Sequence, residues 1–228
     1  MIQRDYLMRM IQEFIKMMSV LLESKQVGNL KDIEKNLDLA AKIILGMDRK
    51  AVCRIEPSEL KQELIRSGST HEFIAKAQVM SRILTESAEL ADREGRNDES
   101  RDLYLKALNL LLETIIGGEP VELLEFTPRI EGIVDCLSSL ILPSETLIGL
   151  MQYYEKQGEY AKAEDQLFQL CEASAGGEGL SFLSLLGEGF YKRLSALPDS
   201  IVSGGGLPRD EVEFGRDEFR KRVTFREP

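Results

Sequence analysis

The chain has no tryptophan, one histidine and three cysteines in 228 residues, and each scarcity removes a class of chemistry. Cys53, Cys136 and Cys171 are odd in number and lie 83 and 35 residues apart. That spacing builds neither a disulfide framework nor a paired-cysteine metal site, so reduced, small core residues are expected. His71 has no second histidine, H-E-x-x-H or adjacent cysteine to make it a ligand or a base, and it reads as a surface residue in the first turn of a helix. Seven prolines and 18 glycines beside 43% hydrophobic residues exclude collagen and a mainly disordered chain. Long uncharged runs are missing too. The opening MIQRDYLMRMIQEFIK is broken by Arg4, Asp5, Arg9, Glu13 and Lys16, which rules out a signal core or a membrane span there and makes a cytoplasmic location the expectation.

Charge is plentiful and uneven. The net charge is −10, with Lys plus Arg against Asp plus Glu at 14 to 11 in residues 1–83, 7 to 20 in 84–180 and 8 to 8 in 181–228. An acidic middle repels phosphate backbones and anionic lipid heads, so nucleic-acid and membrane-surface binding are disfavoured. It suits either a cationic partner or a merely solvated face.

Apolar residues recur at steps of three and four, and no stretch alternates with period two for long, so the fold class is all-α. The first such segment covers residues 2–23 with Ile2, Tyr6, Met10, Ile11, Phe14, Met17, Met18 and Leu21. Gly28 ends it, and Asn29 can cap a second helix running to Gly46. A short helix is expected from Pro57 to about Arg66. Ser69 and Glu72 then form a capping box for a long helix through Ala91. After the polar turn 93–99 come a helix to about Ile115 and one over 121–140, bent at Pro128. Ser144 is a plausible cap for a helix over 145–157, followed by helices over 160–173, 180–195 and from Pro208 to about Arg222. Nine or ten helices joined by short turns result. The glycine clusters at 176–179, 187–189 and 204–206 follow no strand and precede no G-K-[ST], so they read as linkers and helix ends.

Residues 144–177 and 81–114 align as two helix–turn–helix units of 34 residues. Leu147, Leu150, Tyr154, Gly158, Tyr160, Ala163, Leu167 and Leu170 in LIGLMQYYEKQGEYAKAEDQLFQL resemble the tetratricopeptide pattern. Met151 and Ala175 depart from it, standing where a small residue and a proline are usual. The second unit keeps Leu84, Ala88, Gly95, Tyr104 and Ala107 and departs at Ser87, Ala91 and Ser100. The whole chain, through its opening and its LPSETL to AKAEDQLF segment, also looks like a bacterial family of tetratricopeptide-like proteins of unknown function. The resemblance implies antiparallel helix pairs stacked in a right-handed array with an N-terminal helical extension. Residues 1–68 would be N-terminal helices, 69–175 the repeat-like region and 176–228 C-terminal helices and tail, in one continuous domain.

Tetratricopeptide domains that hold a peptide's terminal carboxylate use Lys and Asn on the groove side of each first helix. The corresponding positions here are Glu145, Ile148, Gln152 and Lys156, and Arg82, Thr85, Glu89 and Arg93, so that clamp is absent. Arg82, Glu86, Glu89, Asp92, Gln152, Glu155 and Lys156 are the candidate groove contacts, and they suit a basic protein or peptide better than an acidic tail. Met10, Phe14, Met17 and Met18 are candidates for self-association as a homodimer, because methionine suits adaptable contact surfaces. No set of residues points to catalysis, a cofactor or a metal; pairs such as Glu122 with Glu125 and Glu164 with Asp165 read as solvated surface. The expected function is a non-catalytic interaction or scaffold protein. The alternatives are a homo-oligomeric structural protein, or a small-ligand-binding protein or enzyme with a pocket between helices.

Overall fold

The computed structural model describes residues 2–55, 59, 62, 70–116, 125–173 and 180–224. Every regular element among them is a helix. The chain divides into two compact units, Met1–Ser139 and Leu140–Pro228, and neither of the divisions expected near 68 and 175 coincides with their boundary. The physical reason is that helices pack across both of those points.

In the first unit α1 (Ile2–Val27) and α2 (Leu30–Leu45) form a hairpin. Gly28 makes the turn because its φ of 74° is one that side-chain-bearing residues avoid. It lets Asn29 N–H reach back to the Ser24 carbonyl at 3.2 Å. Asn29 then caps α2 as expected, its side chain accepting from Asp32 N–H. α3 (Arg49–Arg54) is a helix that periodicity did not show, since six residues carry no readable repeat. It is tied to α2 by the buried Arg49, which donates to Asp38 at 2.9 Å and to Glu34 at 2.7 Å, and it is capped by Lys106 Nζ on the Cys53 and Ile55 carbonyls.

α4 (Thr70–Arg93) is the central helix, buried on all sides from Ala75 to Ala88 except at the half-buried Arg82. It pairs with α5 (Asn97–Ile116) and also meets α2 and α1. Its hydroxyls satisfy themselves locally, Ser81, Thr85 and Ser87 donating to carbonyls four residues earlier at 2.8 Å. The helix expected over 121–140 is shorter: α6 spans Ile130–Cys136, and Pro128 precedes it in the irregular stretch where the bend was expected. Ser69 and the glycines at 176–179 lie outside the described residues, as does the helix from Pro57 apart from the helical Glu59 and Gln62. Of the three free cysteines only Cys171 is buried; Cys53 is half-buried and Cys136 is exposed.

The second unit opens with the hairpin of α7 (Ser144–Gln157) and α8 (Tyr160–Ala173). Ser144 is the first helical residue, and the capping position falls on Pro143, which makes no side-chain cap. Gly158, at φ 77°, closes the turn, with Glu159 N–H bonded to the Tyr154 carbonyl at 2.9 Å. Leu147, Leu150, Met151, Tyr154, Tyr160, Ala163, Leu167 and Leu170 are all buried. Ala163 is fully buried, so a longer side chain there has to displace packed neighbours. Ala163→Leu is therefore expected to cost about 1–3 kcal/mol by overpacking, read as a lower denaturation midpoint.

α9 (Leu180–Ser195), the six-residue α10 (Asp199–Gly204) and α11 (Arg209–Thr224) complete the unit. Gly187 and Gly189 lie inside α9, so the linker reading fails for them. α10 takes in Ser203 and Gly204, leaving only the end of the SGGGLP stretch as a connection. Arg209 donates to the Leu194 and Leu197 carbonyls at the end of α9 and to Asp199. The outer face of α9 is apolar as well as its inner one, with Phe182 and Leu185 55% and 75% exposed.

Candidate functional site

Most carboxylates at helix contacts are answered by a cation. On α4, Glu86 is 0% exposed and forms ion pairs with Lys25 of α1 and, at 2.5 Å, with Arg82; Lys25 also reaches Glu89 at 2.6 Å. In the second unit Arg193 holds Glu155 through two bonds of 2.6 and 2.8 Å. Arg220 and then Arg216 hold Glu188 between α9 and α11, keeping its carboxyl down at about 2.

These pairings decide the fate of the expected contacts. Arg82, Glu86 and Glu89 are brought together, but around Lys25, as an internal ionic cluster; Glu86 is sealed from any partner. Asp92, Gln152 and Lys156 are exposed, and Glu155 is half-buried against Arg193. Met10, Phe14 and Met18 are buried in the core of the first unit, and Phe14 meets Phe126 edge-on at 4.6 Å. Only Met17 of that set keeps partial exposure. The methionine face expected to bind a second copy is therefore covered by the chain itself. His71 is exposed in the first turn of α4. Among the described residues no cluster of His, Cys, Asp and Glu is placed to hold a metal ion, and no helix is long and apolar enough to cross a membrane.

The seam between α8 and α11 is different. Glu164 and Phe168 line it from α8, and Glu211, Phe214, Glu218 and Arg222 from α11. Spacings of three and four residues put each set on one helix face. Gly215 forms the floor: a Cβ there would lie 2.1 Å from Glu164 Oε1 and 3.1 Å from the Tyr191 hydroxyl, so a side chain at this position would displace the Glu164 carboxylate. Below it the Tyr191 hydroxyl donates to Glu164 Oε1 at 2.7 Å.

Burial pushes the Glu164 carboxyl above the ordinary carboxylate range; the Tyr191 bond opposes this, and the negative charges of Asp165 and Glu211 add to it. Burial likewise raises Tyr191, helped by its bond to Glu164, so its phenol stays protonated as the donor. Among the described residues neither Glu164 nor Glu211 has an ion-pair partner. At Glu164 and Glu211 the seam thus holds carboxylates without a cation, beside a phenylalanine, Phe214, that is 69% exposed.

At its other end Arg222 lies over the Phe168 ring, 4.5 Å from the centroid, and faces Glu172 at 3.5 Å. Glu218 is paired with Lys221 at 2.6 Å. The expectation that Glu164 and Asp165 are solvated surface fails for Glu164. The readable signal was the E-x-x-F-x-x-x-E spacing of residues 211–218, but nothing in the sequence says that this face meets Glu164.

Comparison with curated proteins and with solved structures finds no match. The profile of a family of unknown function (DUF6483) matches residues 1–224. That match spans both units and nearly the whole sequence, so the chain belongs to this family of unknown function.

Proposed function

We propose that the chain is a non-catalytic protein-interaction protein, built on tetratricopeptide-like hairpins in a right-handed array, that offers an acidic helical surface to a basic segment of a partner protein. The observation that carries this reading is the α8–α11 seam, where Glu164 and Glu211 face no cation while the carboxylates at neighbouring helix contacts are paired. Buried tetratricopeptide-spaced residues from Leu147 to Leu170 support the repeat-like framework. A cytoplasmic location belongs to the same reading, supported by three free cysteines.

The test is fluorescence anisotropy of the full chain with a labelled peptide of alternating arginine and alanine, and with its glutamate counterpart. Binding of the basic peptide alone is expected, weakening about tenfold or more as salt rises from low to physiological ionic strength. Equal binding of both peptides, or of neither, overturns it. The outer face of α9 favours a second reading, in which the partner is another copy of the chain. Light scattering on the same sample decides that point, a mass of one chain excluding it.

A further inference from the structure

Phe168 and Phe214 lie on the two sides of one seam, yet they are treated differently. The Phe168 ring is covered by the Arg222 guanidinium, which also faces a carboxylate, Glu172. Phe214 has carboxylates of its own, Glu211 one turn before it and Glu218 one turn after it, with Glu164 across the seam. No cation covers its ring among the described residues. A phenylalanine more than two-thirds exposed beside two carboxylates without a cation, Glu211 and Glu164, offers a flat cation a ring face and counter-charge together.

We propose that the α8–α11 seam is a receptor for one arginine side chain of a partner protein, stacked on Phe214 and ion-paired with Glu211 and Glu164, as Arg222 is stacked on Phe168 and paired with Glu172. This rests on the reading of the chain as a binder of basic segments and narrows it to one residue type and one place. Arginine fits better than lysine for two reasons. Its planar guanidinium stacks on a ring face, and its fork of N–H donors bonds two oxygens at once, whereas an ammonium is a compact and strongly hydrated point charge. Glu164 is already oriented: the Tyr191 hydroxyl occupies Oε1 from below, which leaves Oε2 for the incoming donor. Gly215 sets the depth of the floor, so the guanidinium meets the carboxylate at the rim and not in a closed cavity.

The alternating arginine–alanine peptide tests this when it is titrated into the full chain and its variants. Phe214→Ala removes a largely exposed ring, so the fold should survive with an unchanged circular dichroism spectrum. Affinity should fall about threefold to tenfold, the range of a cation–π contact between exposed and partly desolvated sites. Glu211→Gln should weaken binding by about threefold or more, while Glu213→Gln, on the same helix outside the seam, should change it less than about twofold. A peptide with lysine for arginine should bind more weakly than the arginine form, and one with the uncharged isostere citrulline should not bind.

If Phe214→Ala binds like the wild type and Glu213→Gln loses as much as Glu211→Gln, attraction to the acidic surface is diffuse and the arginine receptor is overturned, although the broader function stands. Lysine binding as tightly as arginine also overturns it. If no basic peptide binds at all, both readings fall together.

Discussion

Gly187→Ala is expected to destabilise the C-terminal unit by about 1–3 kcal/mol, at the upper end of that range, although it adds a single methyl group. A Cβ at Gly187 would lie 2.2, 2.4 and 2.7 Å from the Cζ, Cε1 and Cε2 atoms of Phe219. That ring belongs to α11 and is 1% exposed, so it is wedged against α9 and has no solvent to swing into. The local helix gain from alanine, about 1 kcal/mol, works in the opposite direction and is outweighed. Urea denaturation reads the loss. Pairing Gly187→Ala with Phe219→Leu separates the causes: if the clash is responsible, the double variant is less destabilised than the two single changes added together. Strict additivity would mean that the methyl group finds room and that the close approach is not limiting.

Lys25→Met should have an effect of similar or larger size, about 3 kcal/mol, in the N-terminal unit. Glu86 has no solvent exposure, and it takes its counter-charge from Lys25 on α1 and from Arg82 on its own helix. Removing Lys25 leaves the buried carboxylate with one cation, which is the costly way to break a buried pair. Glu89→Gln removes only the outer carboxylate of the same cluster and should cost less than about 1 kcal/mol, because Glu89 is partly solvated. Chemical denaturation of both variants provides the comparison. A Lys25→Met protein as stable as the parent would show that Arg82 alone compensates Glu86.

Hairpin turns were legible in the sequence because a glycine followed by a polar residue between two apolar periods has one physical use, as at Gly28 and Gly158. The all-helical class and most of the long helices follow from periodicity alone. Short helices were not legible: α3 and α10 span six residues each, too few for a repeat, and tertiary ties such as Arg49 and Arg209 mark them instead. The helix expected over 121–140 covers only 130–136 among the described residues, because apolar periodicity runs through Pro128, which precedes the helix.

Burial of charge was the larger gap. Glu86 looks like any surface glutamate, and only the approach of Lys25, 61 positions earlier, turns it into a core residue. The same holds in reverse for Met10, Phe14 and Met18, whose apolar face is filled by the chain itself. The seam at Glu164 and Phe214 joins helices separated by α9 and α10, a juxtaposition that local periodicity cannot contain.

Wrapping α4 on every side has a consequence for the exchange of its backbone protons with solvent. Amides between Ala75 and Ala88 sit in a helix whose side chains are enclosed by neighbouring helices over almost the whole stretch, so no local fraying gives solvent access to them. Their deuterium uptake is expected to proceed only through opening of the whole N-terminal unit, and so to report that unit's global free energy of unfolding. The outward face of α1, which carries half-exposed residues such as Met8 and Ile15, is expected to exchange through smaller openings. In this unit the protected centre is a helix with charged and hydroxyl side chains, because enclosure by neighbours, and not hydropathy, sets how long a proton is held.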